Sequence, residues 1–207
     1  MKVLPLPLIQ ILILTLIAIL ATGAAAEIYV VEPGGLLTIQ SAIDQCVNGD
    51  VVELMDGVYT GDGNRDLVFD GKMITVRSAS GDPTTCIIDC EASDSGNHRG
   101  FTLHGGETLE SVIEGITITR GNDGWAGGIS CYYATIRNCH FLDNKGTEGG
   151  GITMREEGVI EDCLFVGNHA VNGGGVSVCC TYGATASVTR CTFVGNTADE
   201  YGGGFRA

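Results

Sequence analysis

The sequence predicts an all-β solenoid, a parallel β-helix whose N-terminal end carries one short amphipathic helix as a cap. Three observations predict it. A glycine block recurs from Trp125 onward as Ala126-Gly127-Gly128-Ile129, Gly149-Gly150-Gly151-Ile152, Gly173-Gly174-Gly175-Val176 and Gly202-Gly203-Gly204-Phe205, and its closing apolar residues are 23, 24 and 29 positions apart. A second phrase is interleaved with it: Ile136-Arg137-Asn138-Cys139-His140-Phe141-Leu142-Asp143-Asn144 returns from Ile160 to Asn168 and again from Val188 to Asn196. Between the glycine blocks there is no room for a helix, only short alternating runs such as Ile152-Thr153-Met154 and Val176-Ser177-Val178, which is strand patterning. Leucine-rich repeats share the period but need a Leu-rich consensus that is missing here. Coils of short strands stacked at the ordinary strand spacing of about 4.8 Å satisfy all three observations.

Each repeat position then acquires a task. Ile136, Ile160 and Val188 form one inward column, Cys139, Cys163 and Cys191 a second, and Phe141, Phe165 and Phe193 a third. Ile113, Ile116 and Ile118 fill the same columns one coil earlier. Gly115, Asn138, Asp162 and Arg190 fall between the first two columns, where a bend lets both flanking residues point inward; such a bend requires a left-handed residue. The glycine blocks and Asn144, Asn168 and Asn196 read as the opposite corners, with the asparagines as turn residues in a hydrogen-bonded ladder.

Toward the N-terminus, Met1-Lys2 precedes an apolar run from Val3 to Ala21 and the small residues Ala24-Ala25-Ala26. This is the pattern of a secretory signal peptide over residues 1–26, with an uncleaved anchor as the alternative. Residues 27–50 hold a first strand, Ile28-Tyr29-Val30-Val31, and then Ile39, Ala42, Ile43, Cys46 and Val47 at helical spacing, ended by Asn48-Gly49. An open solenoid end exposes core and strand edge, so a helical lid over residues 37–47 answers a physical need. The β-helix proper runs over residues 51–207, with strands at Val51-Val52-Glu53-Leu54, Met73-Ile74-Thr75-Val76, Cys86-Ile87-Ile88-Asp89 and Phe101-Thr102-Leu103. By the same physical need, a fourth glycine block ending at Phe205-Arg206-Ala207 suggests an uncapped last coil, able to pair end to end or to continue in a longer chain.

Composition narrows the partners. The 207 residues hold 11 basic and 25 acidic side chains, a net charge of −14. Loss of the signal removes only Lys2 and makes it −15. Such a chain is a poor electrostatic match for nucleic acid, anionic lipid or acidic polymers. Nine cysteines in an exported protein raise the question of disulfides. In-register neighbours on adjacent coils sit farther apart than the roughly 3.5–4.5 Å between Cβ atoms that a disulfide needs. Cys139, Cys163 and Cys191 therefore read as buried free thiols, and Cys86/Cys90 and Cys179-Cys180 as the better candidates for oxidation.

The run Ile39-Gln40-Ser41-Ala42-Ile43-Asp44, with Gly49-Asp50, Gly57-Val58-Tyr59, Ile74-Thr75-Val76 and Ile87-Ile88-Asp89, resembles the opening of pectin-lyase-like right-handed β-helix proteins. The later repeats resemble the polymorphic outer membrane protein family, whose signature pairs a Gly-Gly-aliphatic block with Phe-x-x-Asn. The resemblance covers about residues 37–207 and implies a right-handed coil at the cell surface or outer membrane. It departs from the family in the polar residue after the aliphatic one (Ser130, Thr153, Ser177) and in lacking a translocator barrel within these residues.

Enzymes on this fold need clustered acid–base groups on one face. The outward positions beside the glycine blocks are Thr102 with His104, Ser130, Thr153 with Arg155, and Ser177: hydroxyls and one arginine, without a stacked carboxylate pair. His98, His104, His140 and His169 sit at unrelated phases and read as solvated surface residues. Glu156-Glu157 and Asp199-Glu200 read as turn charges. Asp62-Gly63-Asn64-Arg65-Asp66 begins like a calcium loop but has Leu67 where a Gly is needed and no closing Glu, so it reads as a solvated turn. No catalytic, cofactor or metal residue is assigned. The sequence thus suggests a non-catalytic adhesion, display or structural solenoid with an extracellular protein or glycan partner; the alternative is a polysaccharide-active enzyme.

Overall fold

The computed structural model describes residues 25–93, 96–178 and 184–207; the expected signal peptide falls almost wholly outside them, as does Cys179-Cys180. The first coil gives one strand and then a helix; each later coil contributes one strand to each of three sheets, and a short fourth pairing, His169–Ala170 with Thr197–Ala198, joins two coils at a corner. The first sheet stacks Ile28–Val31, Val51–Leu54, Thr75–Ser78, Val112–Glu114, Ala134–Arg137, Glu157–Glu161 and Thr185–Thr189. The second stacks Gly57–Tyr59, Cys86–Asp89, Thr117–Thr119, His140–Leu142, Leu164–Val166 and Thr192–Val194. The third stacks Leu67–Val68, Phe101–Leu103, Ile129–Cys131, Ile152–Met154, Val176–Val178 and Phe205–Arg206. Strand pairing within these sheets is parallel and in register: Ile129 pairs with Ile152 and Ile152 with Val176, so the spacing of the glycine blocks is the length of a coil.

The three inward columns are present. Ile113, Ile136 and Ile160 are buried, as are Ile118, Phe141 and Phe165, and Val188 and Phe193 pack against them from the last full coil. The bend between the first two sheets is left-handed, with φ of 69° at Gly115, 50° at Asn138 and 54° at both Asp162 and Arg190. The glycine blocks serve a different purpose from these bends. Gly151 and Gly175 lie outside the positive-φ region, but a Cβ on Gly151 would stand 2.9 Å from the ring of Phe165, and one on Gly175 would stand 2.7 Å from Phe193. The block and the Phe-x-x-Asn phrase recur together because the backbone of the first lies against the aromatic ring of the second.

The asparagines form the expected ladder. Asn144 and Asn168 are fully buried. Asn144 Nδ2 donates to Asn168 Oδ1 at 3.1 Å, and Asn168 Nδ2 donates to Asn196 Oδ1 at 2.8 Å. Each amide also donates to a backbone carbonyl one coil back: Ile118, Phe141 and Phe165, all at 2.9 Å.

The helix spans Ile39–Gln45, shorter than the expected lid. Thr38 caps it by accepting from Ser41 N, and Ile39, Ala42, Ile43 and Cys46 enter the core beside Val31, Val52 and Leu54. Val47 lies beyond the helix and is 64% exposed, a correction to the apolar pattern. The turn Asp62-Gly63-Asn64-Arg65-Asp66 docks on the start of the helix. Asn64 Oδ1 accepts from Ile39 N at 3.1 Å, and Arg65 reaches the Cys90 carbonyl and Glu91. This is a tertiary contact rather than a merely solvated turn.

The outer row of the first sheet is a ladder of alternating charge. Glu53, Arg77, Glu114, Arg137 and Glu161 are successive register partners, alternating in sign. Arg77 meets Glu53 at 2.7 Å, Arg137 meets Glu114 at 2.9 Å, and Arg190 reaches Glu161 at 2.7 Å. Each exposed pair contributes only about 0–1 kcal/mol.

The cysteines correct one expectation and refine another. Cys86 and Cys90 are buried free thiols. Both face the core from one extended segment, and four residues of strand separate them by about 13 Å, beyond disulfide reach; burial pushes each thiol up to about 12. Cys139 and Cys163 are buried, whereas Cys191 is partly exposed. Each donates to the carbonyl two residues earlier, across the left-handed bend: Arg137, Glu161 and Thr189 at 3.2–3.3 Å. The thiol is needed as a donor, which a disulfide would remove. Native alkylation is expected to spare Cys139 and Cys163 and reach Cys191. Mass mapping that finds Cys139 bridged to Cys163 would refute the stack.

Candidate recognition face on the third sheet

The outer face of the third sheet carries two parallel rows. Thr102, Ser130, Thr153 and Ser177 are register partners along the first. These were expected to lie outward beside the glycine blocks, and Ser130, Thr153 and Ser177 do leave the core, yet they are fully buried. Residues two positions further along each coil help to cover them: His104, Tyr132 and Arg155, which follow Phe101, Ile129 and Ile152 by a constant three residues. The His104 and Tyr132 rings lie 4.6 Å apart. The Arg155 guanidinium lies 5.8 Å from the Tyr132 ring centre and 3.7 Å above the ring of Trp125, which enters from the preceding corner.

The hydrogen bonds tie cover and sheet together. Ser130 Oγ and His104 Nε2 are 3.1 Å apart, and Thr153 Oγ1 donates to the Trp125 carbonyl at 2.9 Å. Ser–His contacts can mark nucleophilic catalysis, but this hydroxyl is sealed beneath the cover and cannot meet a substrate as it stands. Glu107 is buried and accepts from Gly71 N and Gly105 N at 2.9 and 2.7 Å. Beside it opens a cavity of about 190 Å³ lined by Val68, Asp70, Thr102, His104, Gly105 and Glu107. Two polar groups of the face are buried without a hydrogen-bond partner among the described residues: Ser177 Oγ, and the Nε and Nη2 atoms of Arg155.

The histidines correct the solvated-surface reading. Burial, reinforced by Arg155 and Arg99, holds His104 below the ordinary imidazole range, with Glu107 opposing. Burial likewise lowers His140, against the pull of Asp82. His140 stacks on Leu164 as expected. His98 Nδ1 is 2.6 Å from Asp66 Oδ2, and His169 Nδ1 is 2.9 Å from Thr197 Oγ1. Imidazoles depressed in the fold bind protons better when unfolded, so their neutral forms leave stability intact above about pH 6.5 and it falls as pH drops through the folded value. The denaturant midpoint is expected to fall between about pH 7.5 and 5.5, and less steeply in His104→Gln. Identical slopes would show that His104 does not contribute.

Among the described residues, no group of three or more His, Cys, Asp or Glu side chains is placed to hold a metal, and no helix is long and apolar enough to cross a membrane. The functional signals missed in the sequence are Tyr132 and Trp125. The constant offset from the aliphatic residue would have found the first, whereas Trp125 acquires its role only through the arginine 30 residues later.

A family model described as a right handed beta helix region matches residues 55–205. No curated protein and no solved structure matches the chain.

Proposed function

The chain belongs to the right-handed β-helix family, and from that premise we propose that it is a non-catalytic recognition solenoid, exported to a cell surface or secreted, that adheres to an extracellular protein or glycan through its third-sheet face. The observation that carries this reading is the stacked Trp125–Arg155 pair, whose indole is 46% exposed. Indole, phenol and guanidinium groups held rigid on a scaffold are the side chains that dominate recognition energetics. Export is supported by the apolar run from Val3 to Ala21 and the small residues after it. A kinship with polymorphic outer membrane proteins is supported by the three Phe-x-x-Asn phrases.

Two carboxylates near this face are engaged structurally rather than poised for acid–base work: Glu107 on two backbone amides and Glu148 on Arg206 at 2.9 Å. The test has two parts. Purified protein incubated with a series of acidic glycans should release neither ultraviolet-absorbing nor reducing-end products; either product overturns the non-catalytic reading. Binding to arrayed extracellular glycans and proteins should be lost in Trp125→Ala, and unchanged binding would remove the face from the proposal.

A further inference from the structure

We propose that Arg155 anchors a carboxylate-binding site, and that its ligand bears a single carboxylate on a flat or ring-shaped body. The inference rests on the recognition reading of the same face and names the ligand chemistry. The chain has eight arginines, and seven of them form ion pairs: Arg65 with Glu91, Arg77 with Glu53, Arg99 with Asp123, Arg120 with Asp89, Arg137 with Glu114, Arg190 with Glu161, and Arg206 with Glu148. Among the described residues Arg155 has no such pair, in a protein where acids outnumber bases 25 to 11.

The unpartnered atoms of Arg155 are a particular pair. Nε and Nη2 lie along one edge of the guanidinium, and that edge matches the two oxygens of a carboxylate. Both atoms are buried and unbonded, so desolvation has already been incurred without the compensating bonds. The plane is held in place by Trp125 at 3.7 Å, with Tyr132 on the neighbouring coil. Three carboxylates that could have answered it are bound elsewhere: Glu107 to Gly71 and Gly105, Asp123 to Arg99, and Glu148 to Arg206. Indole and phenol rings beside the edge provide surface for a ring-shaped body. The net charge of −14 disfavours a densely charged polyanion and leaves a singly charged ligand as the better match. Because the edge is covered, entry must disturb the Trp125 stack that forms part of the cover.

Trp125 is the chain's single tryptophan, so its fluorescence reports entry directly. The purified full chain would be titrated with benzoate, glucuronate and acetate at constant ionic strength. Benzoate or glucuronate should give a saturable change, and acetate should bind about tenfold more weakly for want of a ring. Tighter benzoate binding assigns an aromatic acid, and tighter glucuronate binding a sugar acid. Arg155→Lys keeps the charge but loses the paired edge and should weaken binding by about tenfold or more; Arg155→Gln should abolish saturation, with unfolding midpoints verifying that both variants fold. No saturable change up to about 50 mM of either ring acid, or equal affinity in folded Arg155→Gln, overturns the inference. Array binding lost in Trp125→Ala but kept in Arg155→Gln would overturn the carboxylate assignment while leaving the recognition face standing.

Discussion

Phe165→Ala is expected to cost about 3–5 kcal/mol of unfolding free energy, read as a lowered denaturant midpoint. Phe165 is fully buried between Phe141 and Phe193, with ring centres 4.9 and 4.8 Å away and planes within 8° of parallel. Truncation removes two stacking faces at once and opens a cavity that the in-register backbone cannot close. Gly151, whose backbone lies against the ring, would lose its neighbour as well. Val194→Thr, on the exposed outer face of the same sheet, should stay within about 0.5 kcal/mol. Equal midpoints for the two variants would show that the inward and outward assignments are wrong.

Asn168→Asp should be comparably damaging at neutral pH, by about 3–5 kcal/mol, and this penalty should shrink on acidification. In the native ladder, Asn168 Oδ1 accepts from Asn144 N and Nδ2 at 3.0 and 3.1 Å. Its Nδ2 faces two acceptors, Phe141 O at 2.9 Å and Asn196 Oδ1 at 2.8 Å. An aspartate keeps the first pair of bonds but turns the second into oxygen facing oxygen in a buried site. That raises its folded pKa above the unfolded value, so the penalty is present above the folded pKa and is relieved as the carboxyl gains a proton and can donate. Acidification should therefore narrow the gap between variant and parent. A gap that is constant across pH would mean that the carboxylate escapes the ladder.

The fold was legible wherever the controlling contact is between equivalent positions of successive coils. The Phe column, the left-handed bends at Asn138, Asp162 and Arg190, and the asparagine ladder all follow from periodicity, since a residue at one phase meets its counterpart at the same phase. What escaped depends on contacts between different phases. The hydroxyl row is legible as outward-facing but not as covered, because nothing local reveals that His104, Tyr132 and Arg155 fold over it, or that Trp125 completes the cover. Cys86 and Cys90 look like candidates for oxidation in a cysteine-rich exported chain, whereas both are buried free thiols that one extended segment holds apart. The alternating charges of the first sheet are spaced unevenly in sequence, because the coil between Arg77 and Glu114 is long, and only the register shows them as one row.

That row bears on how so repetitive a chain avoids stacking on the wrong copy of itself. Coils this similar can close with one turn looped out, so that a strand docks on the next-but-one strand and loses little apolar contact. In such a skip Glu53 would face Glu114, Arg77 would face Arg137, and Glu114 would face Glu161, like sign against like at every step. Pairs that add almost nothing to the correct stack become repulsive throughout the skipped one. The charges thus act as a parity check on assembly, counting turns that the apolar core cannot tell apart.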